Sequence, residues 1–418
     1  MNGGAQDPLP EAFLVPGGLE SLRSLSEHGV PVTPLCQGAA GPIGASRFVE
    51  RVLICPRGWG ATMDRWFAAQ PWPQGGVVMP ASDDSAWWLA GRECSGHVRC
   101  ATPGLPALRT LLAKGRLYEV CAAAGVAAPR TWLAREGAAL PEGQYPLMVK
   151  PQMRVGMQHW TRGRLVRNRG ELAQAVDWFR RSVSFRDDLT ALEPDVSIPL
   201  VQEYVVRPRH EVYHLAGYRS RAGESVFAAH RKILQYPLRF GSGLCFESAE
   251  VDQGLAEGLE RLLAAAQFHG IFEAEYVERD GEKLLIDLNP RTYNGISLET
   301  RRGYALPWYL YLDAIGEQDR LSEELSRARA LKPPDLVWRD GMRFWTMLAG
   351  QSLSGGMKPK ETWQWIRWSR RNRRRLIDPQ FTRADLKPGF VALRGHAVSA
   401  VTAPRDFLGT YVRRGLDR

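Results

Sequence analysis

The chain has 418 residues, 44% hydrophobic and 24% charged, and 55 Lys and Arg against 45 Asp and Glu leave it a formal charge of +10. Length and balance suit a large soluble enzyme of two to three domains with substantial cores. No apolar run nears the roughly 18 residues that span a bilayer, the first residues lack a signal pattern, and Cys36, Cys55, Cys94, Cys100, Cys121 and Cys245 follow neither metal-site nor disulfide spacing, so reduced cysteines in a cytoplasm are expected.

From the start, AFLVPGG, LESLRSLSEHG and VPVTPL read as strand, glycine turn, helix and second strand of a mononucleotide-binding half-fold. RVLICP and GGVVMPASDD add buried-strand candidates. Residues 1–110 thus read as a Rossmann-like α/β domain, although Gly17-Gly18 lacks the rest of a dinucleotide fingerprint.

The next stretch, AKGRLYEVCAAAGVAAPRTW, opens with Lys114 on an amphipathic helix that puts Leu117, Tyr118, Cys121 and Ala124 on one face and closes at Gly125. YPLMVK is a short apolar run ending in a cation. Lys150 either projects from the strand end into a cleft to meet phosphate oxygens or snorkels along the surface. In LVQEYV the alternation leaves one side apolar. Its edge can offer adenine a backbone carbonyl and N–H at Gln202, Glu203 and Val205, with Glu203 or a nearby carboxylate on the ribose hydroxyls; the alternative is a plain sheet strand. RPRHEVYHLAGY is a second alternating run, with Glu211 a further ribose contact and His210 a surface or hydrogen-bonded histidine. In HRKILQYP, Lys232 with Arg231 and Gln235 forms a compact cationic element suited to a γ-phosphate or acyl phosphate, or a solvated basic loop.

Ile271 to Glu278 and Lys283 to Asn289 read as strands joined at Asp280-Gly281. A strict two-residue loop puts Glu275 and Asp287 on opposite faces, whereas a three-residue loop with Gly281 left-handed in a bulge brings them together; the bulged loop is expected. Glu275, Asp287 and Asn289 then offer magnesium the oxygen ligands it prefers, and Arg291, after Asn289-Pro290, offers a fork for carboxylate and developing phosphoryl charge. Solvent-facing polar positions of an ordinary hairpin are the alternative.

These segments, in this order from about Leu111 to Gly316, resemble the ATP-grasp superfamily and within it the D-aspartate ligase-like carboxylate–amine ligases. The resemblance implies an α/β (α+β ATP-grasp) fold: a pre-ATP-grasp domain at 1–110 and a two-lobed nucleotide-binding and catalytic domain at 111–320. It assigns phosphates to Lys114, Lys150 and Lys232, the adenine hinge to Gln202, Glu203 and Val205, magnesium, replaceable by manganese, to Glu275, Asp287 and Asn289, and acyl-phosphate stabilisation to Arg291. Ser82 to Asp84 at the first domain's strand ends would face the cleft and the second substrate. Three features depart from the pattern. Ala113 replaces the usual aspartate beside Lys114, Asp287 replaces the commoner Glu, and the glycine-rich flap reads PQMRVGMQHWTRGRL, with Arg154, His159 and Trp160 as a bulkier lid. The implied reaction is ATP-dependent joining of a small-molecule carboxylate and an amine through an acyl phosphate, releasing ADP and phosphate. Bicarbonate activation, or a nucleotide-binding membrane-associated protein with little turnover, are the rivals.

Residues 321–418 read as a basic, mainly helical extension. ETWQWIRWSRRNRRRL interleaves Trp363, Trp365 and Trp368 with Arg367, Arg370, Arg371 and Arg373 to Arg375. A solvated helix docked through its tryptophans comes first, attachment to an anionic membrane surface second, and nucleic acid last, since no stacking module or helix-turn-helix pattern accompanies the charge. A cytoplasmic protein, homodimeric or peripheral at the membrane, fits these readings.

Overall fold

The computed structural model describes residues 8–92, 97–136, 144–158, 163–206, 211–238 and 241–412. Five parallel strands, β1 (Ala12–Val15), β2 (Val32–Gln37), β3 (Leu53–Cys55), β4 (Gly76–Pro80) and β5 (Val98–Cys100), form a sheet of order β3-β2-β1-β4-β5. β1 and β4 are buried along their whole length, as strands covered on both faces require. Helices α1 (Leu19–Glu27), α2 (Ala61–Ala68) and α3 (Asp83–Ala90) make the crossovers, so the strand–turn–helix–strand reading of the first residues holds. Gly17 and Gly18 enter α1 at φ 74° and 99°, where a Cβ would be strained. At α3, Ser82 and Ser85 form a reciprocal capping box, which fixes the direction of the first turn and with it Asp83 and Asp84.

Helices α4 (Leu105–Leu112) and α5 (Lys114–Ala124) lead into four antiparallel strands, β6 (Thr131–Leu133), β7 (Leu147–Lys150), β8 (Arg164–Val166) and β9 (Leu200–Glu203), ordered β6-β9-β7-β8. α5 buries Lys114, Leu117, Tyr118 and Cys121 and ends at left-handed Gly125, φ 67°, as its pattern requires. Helices α6 (Arg169–Ser182) and α7 (Asp187–Leu192) lie between β8 and β9 in the chain.

The third sheet has seven strands: β10 (Val212–Arg219), β11 (Ser225–Tyr236), β12 (Ser242–Ala249), β13 (Gly270–Arg279), β14 (Glu282–Asn289), β15 (Val337–Arg339) and β16 (Leu376–Ile377), ordered β14-β13-β10-β11-β12-β15-β16. Between these strands run α8 (Gln253–Ala265), α9 (Ile296–Arg301), α10 (Leu306–Ile315), α11 (Gln318–Arg329), α12 (Gly341–Leu353) and α13 (Pro359–Arg371), and α14 (Lys387–Thr402) and α15 (Pro404–Tyr411) follow. α10, LPWYLYLDAI, is buried from Leu306 to Ala314. A helix apolar all round belongs inside a core, and α10 shares one with β1, β4, β10 and β11, joining the first sheet to the third.

The basic segment after residue 357 forms α13 and packs Trp365, Ile366 and Trp368 against the core around Phe344 and Tyr236, with Trp368 Nε1 donating to Glu247 Oε1 at 2.6 Å. That is the docked helix the sequence put first. Farther on, buried Asp385 accepts from Arg23 Nε at 3.0 Å and Ser46 Oγ at 2.7 Å, tying the C-terminal helices to the first sheet's periphery. Among the described residues no helix is long and apolar enough to cross a membrane. Cys36, Cys55, Cys121 and Cys245 are free and buried. Cys100 is disulfide-bonded, which corrects the expectation of a fully reduced set.

Candidate active site

The hairpin β13–β14 brings Glu275 directly opposite Asp287, and Glu273 opposite Asn289, by a route other than the one expected. The loop has only two residues, since Arg279 pairs with Glu282, and both Asp280 (φ 51°) and Gly281 (φ 83°) are left-handed, as a primed hairpin turn demands. The extra residue sits farther along: Tyr276 faces Leu285 while Glu275 faces Asp287, so the ladder shifts at Ile286. This bulge, not a three-residue loop, reverses the parity of β14 and puts the acids on one face. The neighbouring strands extend that face: His214 pairs with Glu275 and with His230, and Val212 with Lys232.

Across from this sheet stand α5 and the four-stranded sheet. Lys114, Lys150, Gln202, Glu203, Val205, Lys232, Glu275 and Asp287 all line one cleft, with Met148, Val277 and Ile286 supplying apolar wall. Asp287 ion-pairs with Lys114, and its Oδ2 accepts from Arg154 Nη2 at 3.0 Å. Glu275 Oε2 accepts from Lys232 Nζ at 2.9 Å. Burial alone would raise both carboxyls, but Lys114 and Arg154 outweigh it at Asp287 and lower its pKa. Lys232 and His214 do the same at Glu275, holding it at about 2. Lys150 Nζ donates to Gln202 Oε1 at 2.7 Å and reaches the Tyr118 hydroxyl at 3.3 Å. Burial, reinforced by the nearby Lys114 charge, lowers its ammonium to about 7.

Behind the cleft lies a network that sequence reading missed. Glu273 Oε2 accepts from Asn289 Nδ2 at 2.9 Å, Glu273 Oε1 lies 2.9 Å from His214 Nδ1 and 3.4 Å from His230 Nε2, and His230 Nδ1 lies 2.6 Å from Glu299 Oε1. The ligand atoms of His214, His230 and Glu273 lie within 4.8 Å of one another. The two rings stack at 4.6 Å and 23°, and Glu273 Oε1 lies within 3.4 Å of a nitrogen of each. His230 is braced between two carboxylates: burial opposes its charge, but Glu273 and Glu299 raise its pKa to about 9. The period-2 rule pointed here, because Glu273 and His230 are each two residues before a recognised site residue. Which strands pair was the missing information.

Arg291 leaves the end of β14 toward the first sheet. Its Nε donates to Asp83 Oδ1 at 2.6 Å, Nη1 to the Thr292 carbonyl at 2.7 Å and Nη2 to Asn289 Oδ1 at 3.2 Å. Asp84 Oδ1 accepts from the Gly156 N–H at 2.9 Å. The capped first turn of α3 therefore meets both the arginine and the lid, although none of Ser82 to Asp84 lines the cleft. Asn289 and Arg291 stand beside the cleft and outside its lining. Glu203 lines the cleft but is engaged by Arg130 at 3.3 Å and Arg279 at 2.8 Å, which leaves it less available to a ribose than expected. Glu211 is exposed, just before β10 begins, and does not line the cleft, which corrects its place among the ribose contacts. His159, Trp160 and His210 lie outside the described residues.

Comparison with protein-family models and with curated proteins returns no match. Solved structures do match. Pyruvate carboxylase from Rhizobium etli superposes with a TM-score of 0.57 at 16% identity over 74% of this chain, which spans only 28% of that enzyme. L-amino acid ligase from Bacillus licheniformis gives 0.53 at 15% identity over 74% of this chain and 75% of that one. N5-carboxyaminoimidazole synthetase from Staphylococcus aureus, complexed with ADP, gives 0.55 at 14% identity over 75% and 80%. This chain has the fold of the ATP-grasp enzymes.

Proposed function

We propose that the chain is an ATP-dependent ligase that joins a small-molecule carboxylate to an amine. The observation that carries this reading is one cleft whose walls bear Lys114, Lys150 and Lys232 facing Glu275 and Asp287, with an apolar end at Met148, Val205 and Val277. Three ammonium groups suit a polyphosphate, paired carboxylates suit a hard cation, and the apolar end suits a purine. In the resting arrangement cations and carboxylates satisfy one another; with magnesium nucleotide bound, the lysines would turn to phosphate oxygens and the carboxylates to the ion. Glu275 and Asp287 would hold magnesium, with Asn289 contributing Oδ1 once Arg291 turns to substrate. The ion would supply charge neutralisation at the phosphates.

The step proposed for this site is attack of a substrate carboxylate oxygen on the γ-phosphorus, breaking the bond to ADP and forming an acyl phosphate. The amine then attacks the acyl carbon, phosphate leaves, and the nitrogen loses a proton. Lys114, Lys150 and Lys232 hold the phosphates, and Arg291, fixed by Asp83, holds the carboxylate end. Positioning and charge supply most of the rate in such transfers. ADP and phosphate release that requires both an acid and an amine is the expected result when amino acids and carboxylates are screened. Release of AMP and pyrophosphate overturns the mechanism, and ADP release driven by bicarbonate without any amine selects carboxylation instead.

A further inference from the structure

Helix α14 is out of keeping with a surface bathed in water. From Phe390 to Thr402 only Ala392, His396 and Ala400 have reduced exposure, and this four-residue spacing is the narrow stripe by which the helix rests on its neighbours, with His396 Nε2 2.9 Å from Thr346 Oγ1 of α12. Apart from Phe390, whose ring meets Phe381 edge-on, the rest of that span points outward. Phe390 is 60% exposed and Val401 80%, with Leu393 and Val398 about half exposed. Isolated apolar residues on a surface are ordinary, but a nearly all-apolar helix left open marks a contact.

Charge says what covers it. No Asp or Glu occurs between Leu386 and Arg405, where Lys387, Arg394 and Arg405 punctuate the apolar run. On α13, which also packs against α12 through Trp365 and Phe344, Arg367, Arg370 and Arg371 are exposed, as are Arg373 and Arg374 just beyond it, and so is Trp363. Residues 358–405 hold twelve Lys and Arg against three Asp and Glu, a surplus of nine out of the chain's +10. A second copy meeting this face about a twofold axis would set cations against cations. An anionic bilayer satisfies both features, since apolar side chains enter the acyl boundary and lysine and arginine sit at the headgroups.

We propose that α14 is a docking surface for an anionic lipid bilayer, on which the helix lies rather than crosses, with Lys387, Arg394 and Arg405 at the headgroups. The inference stands apart from the ligase reading, and neither fails with the other. The test is flotation of the full chain with phosphatidylcholine vesicles, with and without phosphatidylglycerol. The expected result is co-flotation only with the anionic vesicles. Val398→Glu with Val401→Glu abolishes it while leaving the thermal midpoint unchanged, because both sites are exposed. Lys387, Arg394 and Arg405, all changed to Gln, weaken partitioning on the order of 100-fold, at about 1 kcal/mol per charge. Absence of flotation overturns the proposal, as do equal binding to neutral vesicles and unimpaired binding by either variant. So does a solution dimer broken by Val401→Glu, which assigns the face to a second copy, or binding of RNA in place of lipid, which assigns the arginines to nucleic acid.

Discussion

Nucleotide affinity should fall as pH rises through 7, and Lys150 is the reason. Its ammonium is held at about 7 by burial and by Lys114, whereas an unperturbed lysine titrates near 10.4. A bound phosphate favours the charged form and lifts that value, so binding takes up a proton wherever the free protein lacks one. With a pKa of about 7, roughly nine-tenths of the lysine is charged at pH 6 and about one-tenth at pH 8. The dissociation constant for magnesium nucleotide therefore rises up to about tenfold across that interval, about 1.4 kcal/mol. Lys150 keeps some surface exposure, so tenfold is an upper value. Calorimetry in buffers of different ionisation enthalpy measures proton uptake directly, with nearly one proton expected at pH 8 and almost none at pH 6. Lys150→Arg, charged throughout, should flatten the dependence. The same depression has a stability consequence of definite sign. Between about 7 and 10.4 the unfolded chain binds more protons than the folded one, so Lys150 makes stability rise with pH in that window. Equal affinity at both pH values, or a slope that survives in the arginine variant, refutes the argument.

Asp287→Asn should reduce magnesium-stimulated ADP release by about 100-fold or more and leave metal-free nucleotide binding within a few-fold, because Lys114 and Arg154 lose only a competing carboxylate; a magnesium titration of activity and affinity separates the two effects. Glu273→Gln removes the charge facing His214 and His230 and should destabilise the fold by about 3–5 kcal/mol, read from urea unfolding. Trp308→Ala, in the fully buried helix that joins two sheets, should likewise cost about 3–5 kcal/mol without altering nucleotide affinity.

The sequence by itself determined much of this protein. Buried apolar runs and glycine turns specified the first parallel sheet, the stripe Leu117, Tyr118, Cys121 closed by Gly125 specified α5, and the ordered basic and acidic segments named most of the residues that line the cleft. The first two depend on period and turn chemistry within a dozen residues, whereas the cleft residues are marked by the segments' ordered resemblance to a known family. Only the tertiary structure decided the rest. The facing of Glu275 and Asp287 rests on a bulge at Ile286, which no turn residue announces. The bracing of Asn289 by Glu273, His230 and Glu299, and of Arg291 by Asp83, joins residues up to about two hundred positions apart. The bareness of α14 follows from what fails to pack on it. Cross-strand pairing and exposure are properties of the assembled layers, and a chain read one residue at a time carries neither.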